Sequence, residues 1–154
     1  GNPDDRFQEK FRMLPSNKSH LGLESDVAFT IYNTPDKPIP FIKNEELILL
    51  RAEANYNLEN YSLAADDINF IRTESGGLEE RNDLNANNML EELLYNKRYS
   101  LYLEGGHRWL DLRRYDMLDQ LPLDISEAVI HERFPIPLDE CLSRGLSVPC
   151  SGNQ

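Results

Sequence analysis

The residues with the clearest potential for chemistry fall in one short stretch, 104–114, with the sequence EGGHRWLDLRR. On a helix, His107 and Asp111 would lie one turn apart on the same face, as would Glu104 and Arg108. A histidine and a carboxylate at this spacing can hold a metal ion or act as an acid–base couple. The stretch is therefore the first candidate for a metal site or a catalytic site.

The rest of the sequence does not supply the partners that such a site needs. The other histidines, His20 and His131, are distant in sequence, and neither an H-E-x-x-H nor a C-x-x-C pattern occurs. The many acidic residues are typical of a solvated surface, which also disfavours paired carboxylates of the glycosidase type. The sequence thus predicts no catalytic residue and no metal ligand.

An architectural interpretation accounts better for the same residues. Glu104, Arg108 and Asp111 would form a partly buried ionic lattice that fixes their helix against its neighbours, because one planar guanidinium can bind two carboxylates. Trp109 and Leu112 would then fill the helix interface. On this interpretation the stretch is the seam that holds its helix in place.

The bulk composition excludes several classes of protein. A chain of 154 residues has the size of one domain, and it contains no apolar run near the roughly 18 residues that span a membrane. The formal net charge of -11 would repel a phosphate backbone, so nucleic-acid binding is not expected. The N-terminal segment lacks the pattern of a signal peptide, and the start on Gly1 favours a processed or truncated chain over a cytoplasmic one.

The two cysteines, Cys141 and Cys150, lie close together near the C-terminus. The eight residues between them form a loop that a disulfide bond can close, whereas no zinc-site pattern fits. A bridge and two free thiols remain as alternatives.

Turn-forming residues dominate the lead-in, residues 1–43, which we expect to be extended and irregular. Within it, Val27, Phe29 and Ile31 alternate with other residues and predict one half-buried strand. Three prolines then exclude a helix before residue 44.

Helical periodicity begins at Asn44 and predicts a helical core over 44–116. The first helix, 44–58, carries an apolar stripe formed by Leu47, Leu50, Ala54 and Leu58. The second, 61–73, carries Ala64, Ala65, Ile68 and Ile71. Together they form a helical hairpin of tetratricopeptide character, although only one clear copy of that repeat is present.

A third helix should begin near Asn87 or Asn88, and its apolar stripe extends to Leu112 if the helix continues through Gly105 and Gly106. Each glycine costs about 1 kcal/mol in a helix relative to alanine, so the pair predicts a bend or a close approach of two helices. The prolines of the remaining residues, 117–154, predict an irregular tail with an extended FPIP segment.

Four stretches together resemble the C-terminal part of the SusD/RagB family in order and spacing. They are ELILLRAEA (46–54), ADDINFIR (65–72), RYSLYLEGGHRWLDLRR (98–114) and FPIPLDE (134–140). Asp5-Arg6 also fits an acidic–arginine position of that family. The sequence departs from the family at two places. Asn96-Lys97 replaces a usual glutamate–arginine pair, and Ser100 stands where the family usually has glutamate.

The resemblance implies a mainly α-helical fold with tetratricopeptide-like hairpins and extended, irregular terminal segments. It implies that residues 1–154 form a single C-terminal region of a longer lipoprotein at the outer-membrane surface. Such a protein binds an oligosaccharide or another nutrient and delivers it to a SusC-like, TonB-dependent transporter. It is not an enzyme, it needs no cofactor, and it contacts the membrane only through a lipid anchor that this chain lacks.

The resemblance assigns a structural role to the residues of the signature, and no ligand-binding residue is nominated. They are Arg51, Glu53, Arg98, Glu104, Gly105, Gly106, Arg108, Trp109, Asp111 and Arg113. An oxidising location would also allow a disulfide bond between Cys141 and Cys150.

Two other functions remain open at this point. The helical hairpin could belong to a tetratricopeptide-like module that grips a protein partner. Less in keeping with the sequence is a carboxylate-based glycan hydrolase, which would need two acids around a cleft, such as Glu104 and Asp111.

Overall fold

The structure is a computed structural model that describes residues 3–123, 125, 128–134 and 136–146. Its elements are α1 (Asp5–Lys10), β1 (Phe11–His20), β2 (Leu23–Phe29), α2 (Asn44–Asn57), α3 (Tyr61–Glu74), α4 (Met89–Ser100), α5 (His107–Arg114) and α6 (Leu138–Ser143). A short 3-10 turn, Leu118–Gln120, follows α5. The fold is mainly helical, as predicted. Over the described part of the chain, none of the helices has the length and apolar character to cross a bilayer.

The hydrophobic core lies where α2, α3 and α4 meet. Its fully buried side chains are Leu49 and Ala52 on α2, Ala64, Ile68 and Ile71 on α3, and Met89 and Leu93 on α4. The residues of α3 recur at helical spacing, and three of the four predicted for its apolar stripe are buried here. The two helices of the predicted hairpin begin and end within one residue of the expected positions.

The predicted apolar face of α2 is wrong. Leu47, Leu50 and Leu58 are 52%, 44% and 70% exposed, whereas Leu49 and Ala52 are buried. Four consecutive apolar residues, 47–50, place apolar groups all round the helix, so the sequence pattern does not select one face. Packing against α3 and α4 decides which of them is buried.

The lead-in is more regular than the sequence predicts. α1 leads into an antiparallel hairpin in which Phe11 pairs with Phe29 and His20 with Leu23. The predicted strand overlaps β2, but β1 was not expected because Pro15 and polar residues interrupt its pattern. The register shifts between Met13 and Lys18, and such an irregularity is where a strand tolerates proline.

The hairpin is joined to the helical core, and the tail contains a further short helix. The Phe11 ring lies 4.7 Å from the Tyr102 ring, and Lys10 donates to the carbonyl oxygen of Ser100 at 2.8 Å. In the tail, predicted as irregular, the structure adds α6, whose Cys141 is buried. Cys150 lies outside the described residues, so the bridge to Cys141 stays a prediction.

Candidate functional site

The glycine pair separates two helices. α4 ends at Ser100 and α5 begins at His107, so no continuous helix passes through the signature. Gly105 and Gly106 have φ angles of +52° and +71°, a region in which an L side chain costs about 1–2 kcal/mol. A Cβ atom at Gly106 would meet nothing within 4 Å. Of the two sequence-based explanations, the bend is therefore confirmed, and close helix approach does not apply at Gly106.

The predicted lattice of Glu104, Arg108 and Asp111 does not form. The bend takes Glu104 off the helix, whereas Arg108 and Asp111 both lie on α5 and Asp111 is bound by Lys97 of α4 instead. Glu104 instead binds Lys43, which precedes α2. His107 does not pair with Asp111; its Nε2 atom lies 3.6 Å from Oε1 of Glu46 on α2. Each acid of the signature has a partner, but none is the partner that local spacing suggests.

Asp111 belongs to a buried cluster that connects α2, α4 and α5. The Lys97 ammonium donates to Oδ1 of Asp111 at 2.5 Å and to Oε2 of Glu53 at 2.8 Å. The other carboxylate oxygen of Glu53 accepts from Arg114 and, at 2.9 Å, from the Tyr115 hydroxyl. Lys97 is 2% exposed and both acids are 4% exposed, so solvent screens these contacts little.

The electrostatics of this cluster favour the ionised carboxylate. Burial alone would raise the pKa of Glu53, but Lys97, Arg114 and Tyr115 together hold that pKa below its ordinary value. Burial, with the hydrogen bond to Glu53, raises the pKa of the Tyr115 phenol to about 12. A carboxylate stabilised in this way is a poor proton acceptor near neutral pH, which fits a structural role.

A second buried cluster surrounds Arg6, which is 1% exposed. Its Nε and Nη2 atoms donate to the two carboxylate oxygens of Asp4 at 2.9 and 2.6 Å. Its Nη1 atom donates to the side chains of Asn96 and Ser100, each at 3.0 Å. The Tyr95 hydroxyl donates to Asp4 at 2.9 Å, and the pKa of Tyr95 is raised to about 12, first by burial and then by that carboxylate. The N-terminal segment is thereby fixed to α4.

A third cluster connects α3 to α4 and to the loop between them. Glu92 accepts from Arg72 of α3 and, at 2.9 Å, from Arg81 in the loop. Asn96 donates to the same carboxylate at 2.8 Å and so joins this cluster to that of Arg6. No side-chain polar atom buried within the described ranges lacks a hydrogen-bond partner.

The remaining signature residues lie at the edges of the core. Arg51 binds both oxygens of Asp67, at 2.9 and 2.6 Å, across the α2–α3 pair. Trp109 is partly buried: its indole N–H donates to the His131 carbonyl at 2.9 Å, and its ring lies 4.9 Å from that of Phe134. The Arg113 guanidinium lies 5.3 Å from the centre of the same indole. The main contacts of Trp109 are thus with the chain after α5, and it contributes less to the hydrophobic core.

A cavity of about 430 Å³ opens between the end of α4, the glycine turn and the start of α5. Leu101, Tyr102, Leu121 and Pro122 contribute much of its apolar wall. Two arginines of the signature, Arg98 and Arg108, also line it. Over the part of the chain that the structure describes, no three His, Cys, Asp or Glu side chains are grouped to hold a metal ion.

Comparison with known protein families matches residues 22–137 to the SusD family. The chain belongs to this family. Comparisons with curated proteins and with solved structures return no significant match. Membership of the SusD family gives the chain a general role in binding nutrients such as glycans.

The SusD match covers the long signature, and the structure explains what its residues do there. Glu53 and Asp111 converge on Lys97, although the three residues belong to three different helices. The match does not include Asp4 and Arg6, which the structure nevertheless builds into the same helical core. Several residues of the SusD signature therefore make contacts between helices, whereas Arg98 and Arg108 line the cavity.

Sequence reasoning missed the central residues of the clusters, namely Lys97, Asn96 and Arg6. Lys97 interrupts the apolar stripe that includes Leu94 and Leu101, and the family resemblance marks Asn96-Lys97 as a departure from the usual residues. That interruption was the available signal, since a charge on a core-facing helix surface must be paired. For Arg6 the signal is the resemblance of Asp5-Arg6 to a family position, which does not indicate its partners, since Asn96 and Ser100 lie 90 or more residues away in sequence.

Proposed function

We propose that the chain is part of a surface nutrient-binding protein that delivers an oligosaccharide or another nutrient to a TonB-dependent transporter, without catalysing a reaction. The single observation that carries the proposal is the SusD match over residues 22–137. Attachment to the outer membrane through a lipid anchor and docking on a SusC-like transporter belong to the same proposal.

The geometry of the signature supports a binding role over a catalytic one. Asp111 is bound by Lys97, and Glu104 is bound by Lys43. A glycosidase needs one carboxyl group that can donate a proton and a second that faces the sugar. Carboxylates that are held by ammonium groups are poorly suited to the proton-donating part.

The test is a calorimetric screen of the protein against neutral and acidic oligosaccharides and short peptides, with product analysis of each mixture. We expect saturable binding of one ligand class with the ligand recovered unchanged. Indifference to every ligand would contradict the proposal, as would turnover. Glu104→Gln and Asp111→Asn are the matched variants: turnover lost in both would identify a hydrolase that uses these acids.

A protein-interaction module remains the second candidate, and the exposed stripe on α2 favours it. Leu47 and Leu50 on α2 and Leu58 at its C-terminal cap lie at helical spacing, and all three are exposed. Native co-purification separates the two candidates. A β-barrel transporter recovered with the protein supports nutrient delivery, whereas a soluble peptide or chaperone partner supports the module.

A further inference from the structure

The charged residues that line the cavity beside the glycine turn are of two kinds, paired and unpaired. Five of its lining residues are basic or acidic: Lys97, Arg98, Glu104, His107 and Arg108. Lys97 forms ion pairs with Glu53 and Asp111, and Glu104 forms one with Lys43. His107 lies near Glu46. Arg98 and Arg108 have neither a hydrogen bond nor an ion pair with any described residue.

Two unpaired arginines at one cavity concentrate positive charge there. The protein carries a net charge of -11, and the buried bases Arg6 and Lys97 each have an acidic partner. Burial, and then the charge of Arg98, lower the pKa of the Arg108 guanidinium, while the charge of Asp111 opposes this shift. The two guanidinium groups therefore lie close enough to repel each other, and an anion bound between them would reduce that repulsion.

The start of α5 adds to the positive potential at the same place. α5 begins at His107, and its N-cap residue, Gly106, has no side chain to cap the helix; the backbone N–H groups of His107 and Trp109 donate to the carbonyl oxygens of Glu104 and Gly106. Both residues line the cavity. The N-terminal end of a helix carries a partial positive charge that favours an anion.

We propose that this cavity binds a small organic anion, with a carboxylate between Arg98 and Arg108 and an apolar body against Leu101 and Leu121. Guanidinium groups bind carboxylates through paired, charge-assisted hydrogen bonds. The volume of about 430 Å³ lies in the range of sites for small molecules and exceeds what an inorganic anion fills. This proposal goes beyond nutrient delivery and does not depend on it.

The walls of the cavity favour an apolar carboxylate over an acidic sugar. A sugar ring would place its hydroxyl groups against leucine and proline side chains, which offer them no partner. Stacking on Trp109 is also restricted, because Phe134 and Arg113 already pack on its ring. An aromatic or branched aliphatic body fits these walls without leaving polar groups unsatisfied.

The experiment titrates the protein with 3-phenylpropionate and follows binding by calorimetry and by the NMR signal of the Trp109 indole N–H. The neutral analogue 3-phenylpropionamide and glucuronate serve as matched probes. We expect saturable binding of 3-phenylpropionate, with the amide and glucuronate each weaker by about tenfold or more. A further titration uses alanyl-phenylalanine with a free or an amidated C-terminus. If the free form binds more tightly than 3-phenylpropionate, the site is assigned to peptide C-termini. If it binds more weakly, the site is assigned to free acids.

Variants connect the binding to the two arginines. Arg98→Gln and Arg108→Gln should each weaken binding of 3-phenylpropionate by about tenfold, whereas Arg12→Gln, at an exposed position of β1, should leave it unchanged. Arg98 is exposed, so its variant keeps the fold and the test remains valid if Arg108→Gln unfolds. Equal affinity for the acid and the amide, no saturable binding, or an equal loss in Arg12→Gln would each overturn the proposal.

Discussion

Lys97 of α4 donates a hydrogen bond of 2.5 Å to Asp111 of α5 and thereby joins the two helices on either side of the glycine turn. The same ammonium lies 2.8 Å from Glu53 of α2. Lys97 thus pairs with Asp111 and shares Glu53 with Arg114, which also binds that carboxylate. Removing the ammonium group is costly, since the buried Asp111 then loses its hydrogen-bonded cation.

Lys97→Met should therefore lower the free energy of unfolding by about 3–5 kcal/mol. The measurement is urea denaturation followed by circular dichroism, with Lys18→Met on the exposed hairpin as the control. Adding Asp111→Asn to Lys97→Met should recover part of the loss, because the double variant no longer leaves that carboxylate unpaired. Additive losses in the double variant would show that the two residues are not coupled.

Arg6→Met should detach the N-terminal segment from α4 and lower the free energy of unfolding by about 3–5 kcal/mol, because it leaves the buried Asp4 without its cation. Hydrogen exchange should increase in α1 first, since Arg6 supplies the side-chain contacts of that helix with Asn96 and Ser100. Arg12→Met, at an exposed position, is the matched control. Unchanged protection of α1 would contradict the role assigned to Arg6.

Acid should destabilise the protein partly through Glu53. Its pKa is lowered in the folded state, so the stability that it contributes is present above the ordinary glutamate value of 4.5 and is lost as the pH falls through the folded-state pKa. Asp4, whose pKa is also lowered, acts in the same direction. Unfolding free energies measured from about pH 6 to about pH 2 should fall less steeply for Glu53→Gln than for the unchanged protein; equal slopes would count against this account.

Gly106→Ala should lower the free energy of unfolding by about 1–2 kcal/mol through backbone strain alone. The φ angle of +71° disfavours any L side chain, and a Cβ atom there meets no neighbour. Gly106→Asn should lose less, because asparagine tolerates the left-handed region better than alanine does. Chemical denaturation of both variants makes the comparison, and a smaller loss for alanine than for asparagine would refute it.

Trp109→Ala should destabilise by about 2 kcal/mol, less than the truncation of a fully buried tryptophan, because the indole is only partly buried. The loss should also loosen residues 128–134, which the indole contacts through His131 and Phe134. Trp109→Phe keeps most of the ring contact but removes the hydrogen bond, so it should lose about 1 kcal/mol. Thermal unfolding with hydrogen exchange tests both variants; unaltered exchange over 128–134 in Trp109→Ala would be the contrary result.

Local periodicity accounts for the parts of the fold that the sequence predicts well. α3 carries Ala64, Ile68 and Ile71 at helical spacing with polar residues between them, and these side chains form the core. Periodicity does not define the buried face of α2, because apolar residues surround its first turns and either face could have been buried. The sequence does not predict strand β1 for a related reason. Pro15 disrupts the alternation of apolar and polar residues, and the strand depends on pairing with β2 for its hydrogen bonds.

The sequence by itself determined the positions of the helices in the core, the resemblance to the SusD/RagB family and the need for a special backbone conformation at Gly105 and Gly106. Only the tertiary structure decided which charges meet. Side chains one turn apart can pair on a continuous helix, but α4 ends at Ser100 and the left-handed turn at Gly105 and Gly106 reorients the chain before α5. Glu104 therefore binds a lysine 61 residues away, and Lys97 binds Glu53 at a separation of 44 residues, because docking of whole helices brings these partners together.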